Sequence, residues 1–252
     1  MEPLTPTYDL TTHWADGIAR NAIASSLDAF KKTIGSLEEY YKTLKSAPLV
    51  DSASPSIRMF PYQTSYRDKD GQEAKFKYQS RIDEKLVFRA LGDDGEDLCV
   101  KFAKRYSEDV HQFLADLGHA PRLRAVISLP ADWFMIVMDF SKFVRLVEVL
   151  PRLADSKGRL KSKIQDIVQK LHDNNFVHGD IRDVNILVDP ETLTGDDCSI
   201  YLLDFDWAGN EQEARYPTRV NTISVQRPEG VADGELITKS HDMEMVSRLF
   251  MT

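Results

Sequence analysis

The run His178-Gly179-Asp180-Ile181-Arg182-Asp183-Val184-Asn185-Ile186-Leu187-Val188 concentrates groups that can do chemistry. A carboxylate, Asp180, is followed five residues later by a carboxamide, Asn185. Nineteen residues beyond Asn185, the segment Leu203-Asp204-Phe205-Asp206-Trp207-Ala208-Gly209 supplies more carboxylates. Oxygen ligands of this kind suit magnesium held against phosphates. Phosphoryl transfer needs little else: a carboxylate that orients a hydroxyl and accepts its proton, and a cation that steadies phosphate oxygens. Asp180 can be that carboxylate, Asn185 and Asp204 the metal ligands, and Lys101 the cation. Each residue alone has a plainer reading, as a capped loop carboxylate, a turn residue or a strand-edge lysine. Their joint presence and spacing favour chemistry.

Elements that would position these groups can be read from periodicity. Phe76, Tyr78 and Ser80 begin one strand, Leu86–Leu91 form a second, and Asp97–Ala103, after the Asp93-Asp94-Gly95 turn, form a third. Ser107–Leu117 reads as a helix with Ser107 as N-cap and Gly118 as its stop. Arg124–Leu129 and Trp133–Phe140 add two strands. Leu160, Ile164, Ile167, Val168 and Leu171 share one helical face, which Asn174-Asn175 ends. Short strands follow around Asn185–Val188 and Ile200–Phe205, and a last helix starts near His241. Upstream, Ile23, Leu27, Phe30, Ile34, Leu37, Tyr41 and Leu44 alternate four and three apart, an apolar stripe on a long helix. That stripe can pack on the rest of the chain or zip a coiled-coil dimer; Gly35 within it favours packing.

The His-Gly-Asp-x-x-x-x-Asn-Ile-Leu run and the later Leu-Asp-Phe-Asp resemble the catalytic loop and metal-binding motif of the protein-kinase-like superfamily, over about residues 74–252. The resemblance implies an α+β, two-lobed fold: an N-lobe of five antiparallel strands plus a helix, then a truncated helical C-lobe ending at helix F. It implies ATP and Mg2+ as cofactors. Lys101, in Val100-Lys101-Phe102-Ala103, would contact the α- and β-phosphates, and Glu108 would pair with it from helix C, with Asp109 in reserve. Met138 matches the gatekeeper. The backbone from Asp139 through Phe140 to Ser141 would meet the adenine edge. Asp180 would be the catalytic carboxylate, Asn185 and Asp204 the metal ligands, and Asp242 the buried brace of the catalytic loop. Arg182 stands where protein kinases have a lysine that touches the γ-phosphate; it can serve there or pair with an acidic neighbour.

The departures from the family pattern carry information too. Ser80-Arg81-Ile82-Asp83-Glu84-Lys85 has no glycine where a glycine-rich phosphate loop would stand. Gly179 replaces the arginine that reads activation-segment phosphorylation, so modification of Thr218, Thr222 or Ser224 would lack its usual reader. Asp206 replaces the glycine of Asp-Phe-Gly, nearer the form of choline kinases and aminoglycoside phosphotransferases. Arg227-Pro228-Glu229 only echoes Ala-Pro-Glu.

Composition narrows the partners. The formal net charge is −8 with no long basic stretch, which argues against nucleic acid. No apolar run approaches a membrane span, the N-terminus lacks signal-peptide character, and two cysteines, Cys99 and Cys198, indicate no disulfide framework. A cytoplasmic protein is expected. The remaining histidines show no metal-ligand spacing. The expected organisation is a helical extension and linker at 1–72, an N-lobe at 73–140 and a C-lobe at 141–252. The expected function is transfer of the γ-phosphate of Mg-ATP to a hydroxyl acceptor, on a protein Ser or Thr. A small-molecule kinase of the choline or aminoglycoside type is one alternative. A pseudokinase or binding module, making contact through the helix at 22–46, is another.

Overall fold

The computed structural model describes residues 17–43, 60–82, 86–153, 156–193, 195 and 198–250. The chain divides into two compact units, Met1–Met59 and Phe60–Thr252. The described part of the first unit is α1 (Gly17–Thr43), a 27-residue helix. Leu27, Phe30, Ile34, Leu37 and Tyr41 of its apolar stripe are exposed. Leu44 lies outside the described residues.

The second unit opens with an antiparallel sheet of six strands in the order β1-β2-β3-β4-β6-β5. The strands are β1 (Ser65–Arg67), β2 (Glu73–Arg81), β3 (Val87–Gly92), β4 (Asp97–Ala103), β5 (Leu123–Leu129) and β6 (Trp133–Asp139). Five were expected; β1, within the stretch expected to be linker, pairs with β2 through Tyr66 and Ala74. The second unit starts at Phe60. Alternation drives the sheet: Phe76 and Tyr78 of β2 turn inward while their neighbours face water. Tyr78 meets both Phe76 and Phe88 edge-on, and Phe60 stacks on Tyr78 at 5.4 Å between ring centroids.

α2 (Glu108–Asp116) leaves β4 after a short connection. Ser107 caps it, its hydroxyl accepting from the Val110 amide, and the Ser107 amide donates to the Phe205 carbonyl at 3.0 Å. Val110, His111 and Leu114 are its buried face. Beyond β6 come β7 (Val144–Arg145), α3 (Leu146–Val149) and α4 (Lys157–Asp173). α4 buries the predicted stripe of Leu160, Ile164, Ile167, Val168 and Leu171. It ends at Asn174, and Asn175 takes a left-handed φ of 58°. β8 (Phe176–Val177), β9 (Ile186–Val188), β10 (Ile200–Leu202) and β11 (Gly209–Asn210) then hold the loops of interest. β9 and β10 pair antiparallel, and β11 pairs with β8. Thus the segment before Asp180 and the segment after Asp206 are stitched to each other. α5 (Lys239–Arg248) starts two residues before His241, because Thr238 and His241 cap it reciprocally.

No described helix is long and apolar enough to cross a membrane. Both cysteines are free thiols.

Candidate active site

The loop carrying Asp180 is fixed from below by Asp242, which is 1% exposed. Its carboxylate accepts from the His178 amide at 2.7 Å and the Gly179 amide at 2.8 Å. A buried carboxylate is tolerated when backbone donors satisfy it, and here two consecutive amides do so. Gly179 sits at φ +82°, and a Cβ there would meet Ile237 Cδ1 at 2.7 Å. Both conformation and space demand glycine, so the arginine of the usual motif has no room. His178 donates from Nε2 to the Leu203 carbonyl at 3.0 Å and accepts from the Asp180 amide at Nδ1. This makes His178 a structural bridge between the loop and the segment entering Asp204.

Asp180 is 4% exposed and Asn185 3%. Arg182 forms a bidentate pair with the Asp180 carboxylate, Nε at 2.8 Å and Nη2 at 2.7 Å. Asn185 donates to the same carboxylate at 2.8 Å and to the Asp180 carbonyl at 3.0 Å. The amide nitrogen is therefore engaged, and the carbonyl oxygen is the atom Asn185 can offer a cation. Arg227 Nη1 also lies 2.8 Å from this carboxylate. Of the two roles open to Arg182, the structure displays the pairing with an acidic neighbour.

Lys101 reaches over from β4. Its ammonium lies 2.5 Å from Asp204 Oδ1 and 2.5 Å from Asp206 Oδ1. Burial opposes the Lys101 charge, but the two carboxylates outweigh it and hold its pKa above the ordinary lysine range. Asp206 is pushed up to about 6, by burial first and by the neighbouring Asp204 as well, against the pull of Lys101. The expected partner, Glu108, does not fill this place: it is exposed on the first turn of α2. The reason is local. Only six residues separate Lys101 from Glu108, and the Ser107 tie to Phe205 brings α2 down onto the loop that carries Asp204 and Asp206. The helix start is thereby fixed with Glu108 toward solvent, and Asp206 takes the position beside the lysine. Asp109, the reserve, is exposed as well. The sequence signal for Asp206 was its replacement of a glycine in the Asp-Phe-Gly pattern.

Phe205 is 1% exposed and joins the parts. It stacks on His111 of α2 at 4.8 Å and contacts Tyr106 and His178. His111 donates from Nε2 to the Pro121 carbonyl at 2.8 Å and accepts at Nδ1 from the Tyr106 hydroxyl at 2.6 Å. Burial pulls its pKa down to about 4, so it packs as a neutral ring. Asp204 itself takes a left-handed φ of 70°, uncommon for a non-glycine residue and a mark of functional loops.

Lys101, Tyr106, Asn185, Asp204 and Phe205 line a cavity of about 400 Å³. Ile82, Val87 and Cys99 line it from the sheet, and Leu187 and Leu203 from the helical part. Apolar walls with a few convergent polar groups are the usual form of a nucleotide or small-ligand site. Met138, Asp139, Phe140 and Ser141 line it too. Their amides are not equivalent, however. Asp139 N–H donates to the Arg122 carbonyl and Phe140 N–H to the Asp97 carbonyl, both at 2.9 Å. Of the Asp139, Phe140 and Ser141 amides, that of Ser141 remains for a ligand. The Ile82 amide is likewise engaged, with the Val87 carbonyl at 2.7 Å, so the glycine-free turn keeps this donor within its own hairpin. Residues 83–85 lie outside the described residues.

Among the described residues no group of three or more His, Cys, Asp or Glu forms a metal cage. The donors at hand are the Asp204 and Asp206 carboxylates and the Asn185 carbonyl. Magnesium is commonly held by one or two carboxylates plus phosphate oxygens and water, so this donor set fits Mg-ATP.

No family model matches the chain. Over 96 residues it is 28% identical to a protein named Putative serine/threonine-protein kinase R436, from Acanthamoeba polyphaga mimivirus, covering 38% of this chain and 28% of that protein. The chain therefore spans under a third of the length of that curated relative. Among solved structures it is similar to the Cydia pomonella granulovirus kinase PK-1, with a TM-score of 0.47 and 17% identity, over 54% of this chain and 52% of that one. The architecture is an antiparallel sheet with one packed helix, followed by a helical part.

Proposed function

We propose that this chain is an ATP-dependent phosphotransferase that moves the γ-phosphoryl group of Mg-ATP to a hydroxyl on a protein Ser or Thr. The observation that carries this reading is that Lys101, Asn185 and Asp204 line one largely apolar cavity, with Asp180 bonded to Asn185. Asn185 and Asp204 would hold the magnesium, which supplies charge neutralisation for the phosphate oxygens. The Lys101 ammonium would move from the two carboxylates toward the α- and β-phosphates. The Ser141 amide and the apolar walls would hold the base. Asp180 would accept the proton of the attacking hydroxyl as the new P–O bond forms and the bond to ADP breaks. Arg182 can follow the transferring phosphoryl group from its place on Asp180.

The alternative of a choline- or aminoglycoside-type kinase calls for an acidic cleft beside Asp180 to receive a cationic metabolite. The side chains that contact the Asp180 carboxylate are Arg182, Arg227 and Asn185, two of them cations. This arrangement supports an acceptor without a positive charge at its hydroxyl. The binding-module alternative has in its favour the glycine-free turn, whose Ile82 amide is engaged in its own hairpin.

Thermal unfolding with and without Mg-ATP tests the nucleotide reading, because a ligand that binds the folded state alone raises Tm. A magnesium-dependent rise in the wild type, lost in Asp204→Ala, is expected. No rise at millimolar Mg-ATP would overturn it.

A further inference from the structure

Arg227 is a buried cation that the phosphotransfer reading does not use. Its side chain is 4% exposed, and its guanidinium lies 5.0 Å over the Trp207 ring. Its own carbonyl accepts from Arg248 Nη1 at 3.2 Å, and Pro228 beside it is buried. The segment between Asp206 and α5 thus delivers this guanidinium to the Asp180 carboxylate, 2.8 Å from Nη1, while Nε donates to the Asn221 carbonyl at 3.4 Å. A guanidinium this buried needs a counter-ion, and Asp180 is the carboxylate that supplies it.

The geometry of that contact matters. An ionised carboxylate offers about four lone-pair sites. Three are used: Oδ1 accepts from Arg182 Nε, and Oδ2 accepts from Arg182 Nη2 and from Asn185 Nδ2. Arg227 Nη1 sits at contact distance from Oδ1, yet it makes no aligned hydrogen bond and is a buried nitrogen without a partner. The pair is held by charge. One lone pair of Oδ1 and one buried N–H donor therefore stand side by side, an acceptor and a donor, which is the complement of a hydroxyl group.

We propose that Arg227 is the acceptor-side partner of Asp180, fixing the carboxylate by charge and donating its spare Nη1–H to the acceptor oxygen. The proposal rests on the phosphotransfer reading above. It also means that the segment is tied to the catalytic loop by its own arginine. Gly179 leaves no room for an arginine that would read a phosphate, and Thr218, Thr222 and Ser224 are exposed and outside this contact.

The test is turnover of Mg-ATP with water as acceptor, followed by ADP release, in the wild type, Arg227→Ala, Arg227→Lys, Asp180→Asn and the triple variant Thr218→Ala/Thr222→Ala/Ser224→Ala. Arg227→Ala is expected to lower kcat by about 30-fold or more while KM for Mg-ATP changes by less than about twofold. Low-millimolar guanidinium should restore part of that loss in Arg227→Ala and none in Arg227→Lys, where the side chain fills the space. The triple variant should keep the wild-type rate. A retained Mg-ATP thermal shift identifies folded variants, and Arg227→Lys serves if the alanine variant does not fold. A slow Asp180→Asn beside an Arg227→Ala as fast as the wild type, or faster, would overturn the assignment alone. A wild type that binds Mg-ATP but turns over no faster than Asp180→Asn would overturn the phosphotransfer reading and this assignment with it.

Discussion

Lys101 lies as close to Asp206 as to Asp204, 2.5 Å from one oxygen of each. A lysine on the third long strand is thereby paired with the carboxylate two residues past the candidate metal ligand, and no helix residue takes part. Asp206→Ala should weaken Mg-ATP binding by about tenfold, through loss of a buried counter-ion that orients Lys101. Glu108→Gln should change it by less than about twofold, as an exposed helix-start charge. Isothermal titration of the two variants measures both.

The brace under the loop carrying Asp180 gives a stability prediction. Asp242→Ala leaves the His178 and Gly179 amides buried without acceptors. The expected cost is about 3 kcal/mol, read as a lower urea midpoint with little change in m-value. Gly179→Ala should be destabilising as well, because its Cβ meets Ile237 and its φ is left-handed.

His111 makes folding pH-dependent. Its pKa is pulled from the ordinary 6.5 down to about 4 by burial. The unfolded chain therefore binds this proton more readily than the folded one, and protonation favours unfolding. Stability from this group is fully present above about 6.5 and falls as the pH drops from there toward 4, by roughly 3 kcal/mol over the window. His111→Gln should flatten that part of a urea-midpoint profile. An unchanged slope would show that the ring is not buried neutral against Phe205.

Much of the fold was legible because its signals are local. Alternation in Phe76–Tyr78 and the stripe from Leu160 to Leu171 mark elements whose buried faces are written in consecutive residues. The five-residue offset from Asp180 to Asn185 marks a site confined to one loop, where Asn185 bonds the Asp180 carboxylate directly. β1 was not legible, since three residues in a Pro- and Gly-bearing stretch carry no period and become a strand by pairing with β2. Nor were the partners of the charges. Whether Lys101 meets Glu108 or Asp206 depends on how Ser107 docks on Phe205, a contact 98 residues apart in sequence. Arg227, 47 residues from Asp180, read as an echo of a motif because only the folded chain brings the two together.

Phosphoryl transfer by Asp180 is read from transfer of the labelled γ-phosphate of ATP, with magnesium, to the serines and threonines of a mixed protein acceptor. Label in the wild-type reaction and a fall of about 100-fold or more in Asp180→Asn are expected. Equal labelling by wild type and Asp180→Asn, or none by either in the presence of a Mg-ATP thermal shift, would contradict it.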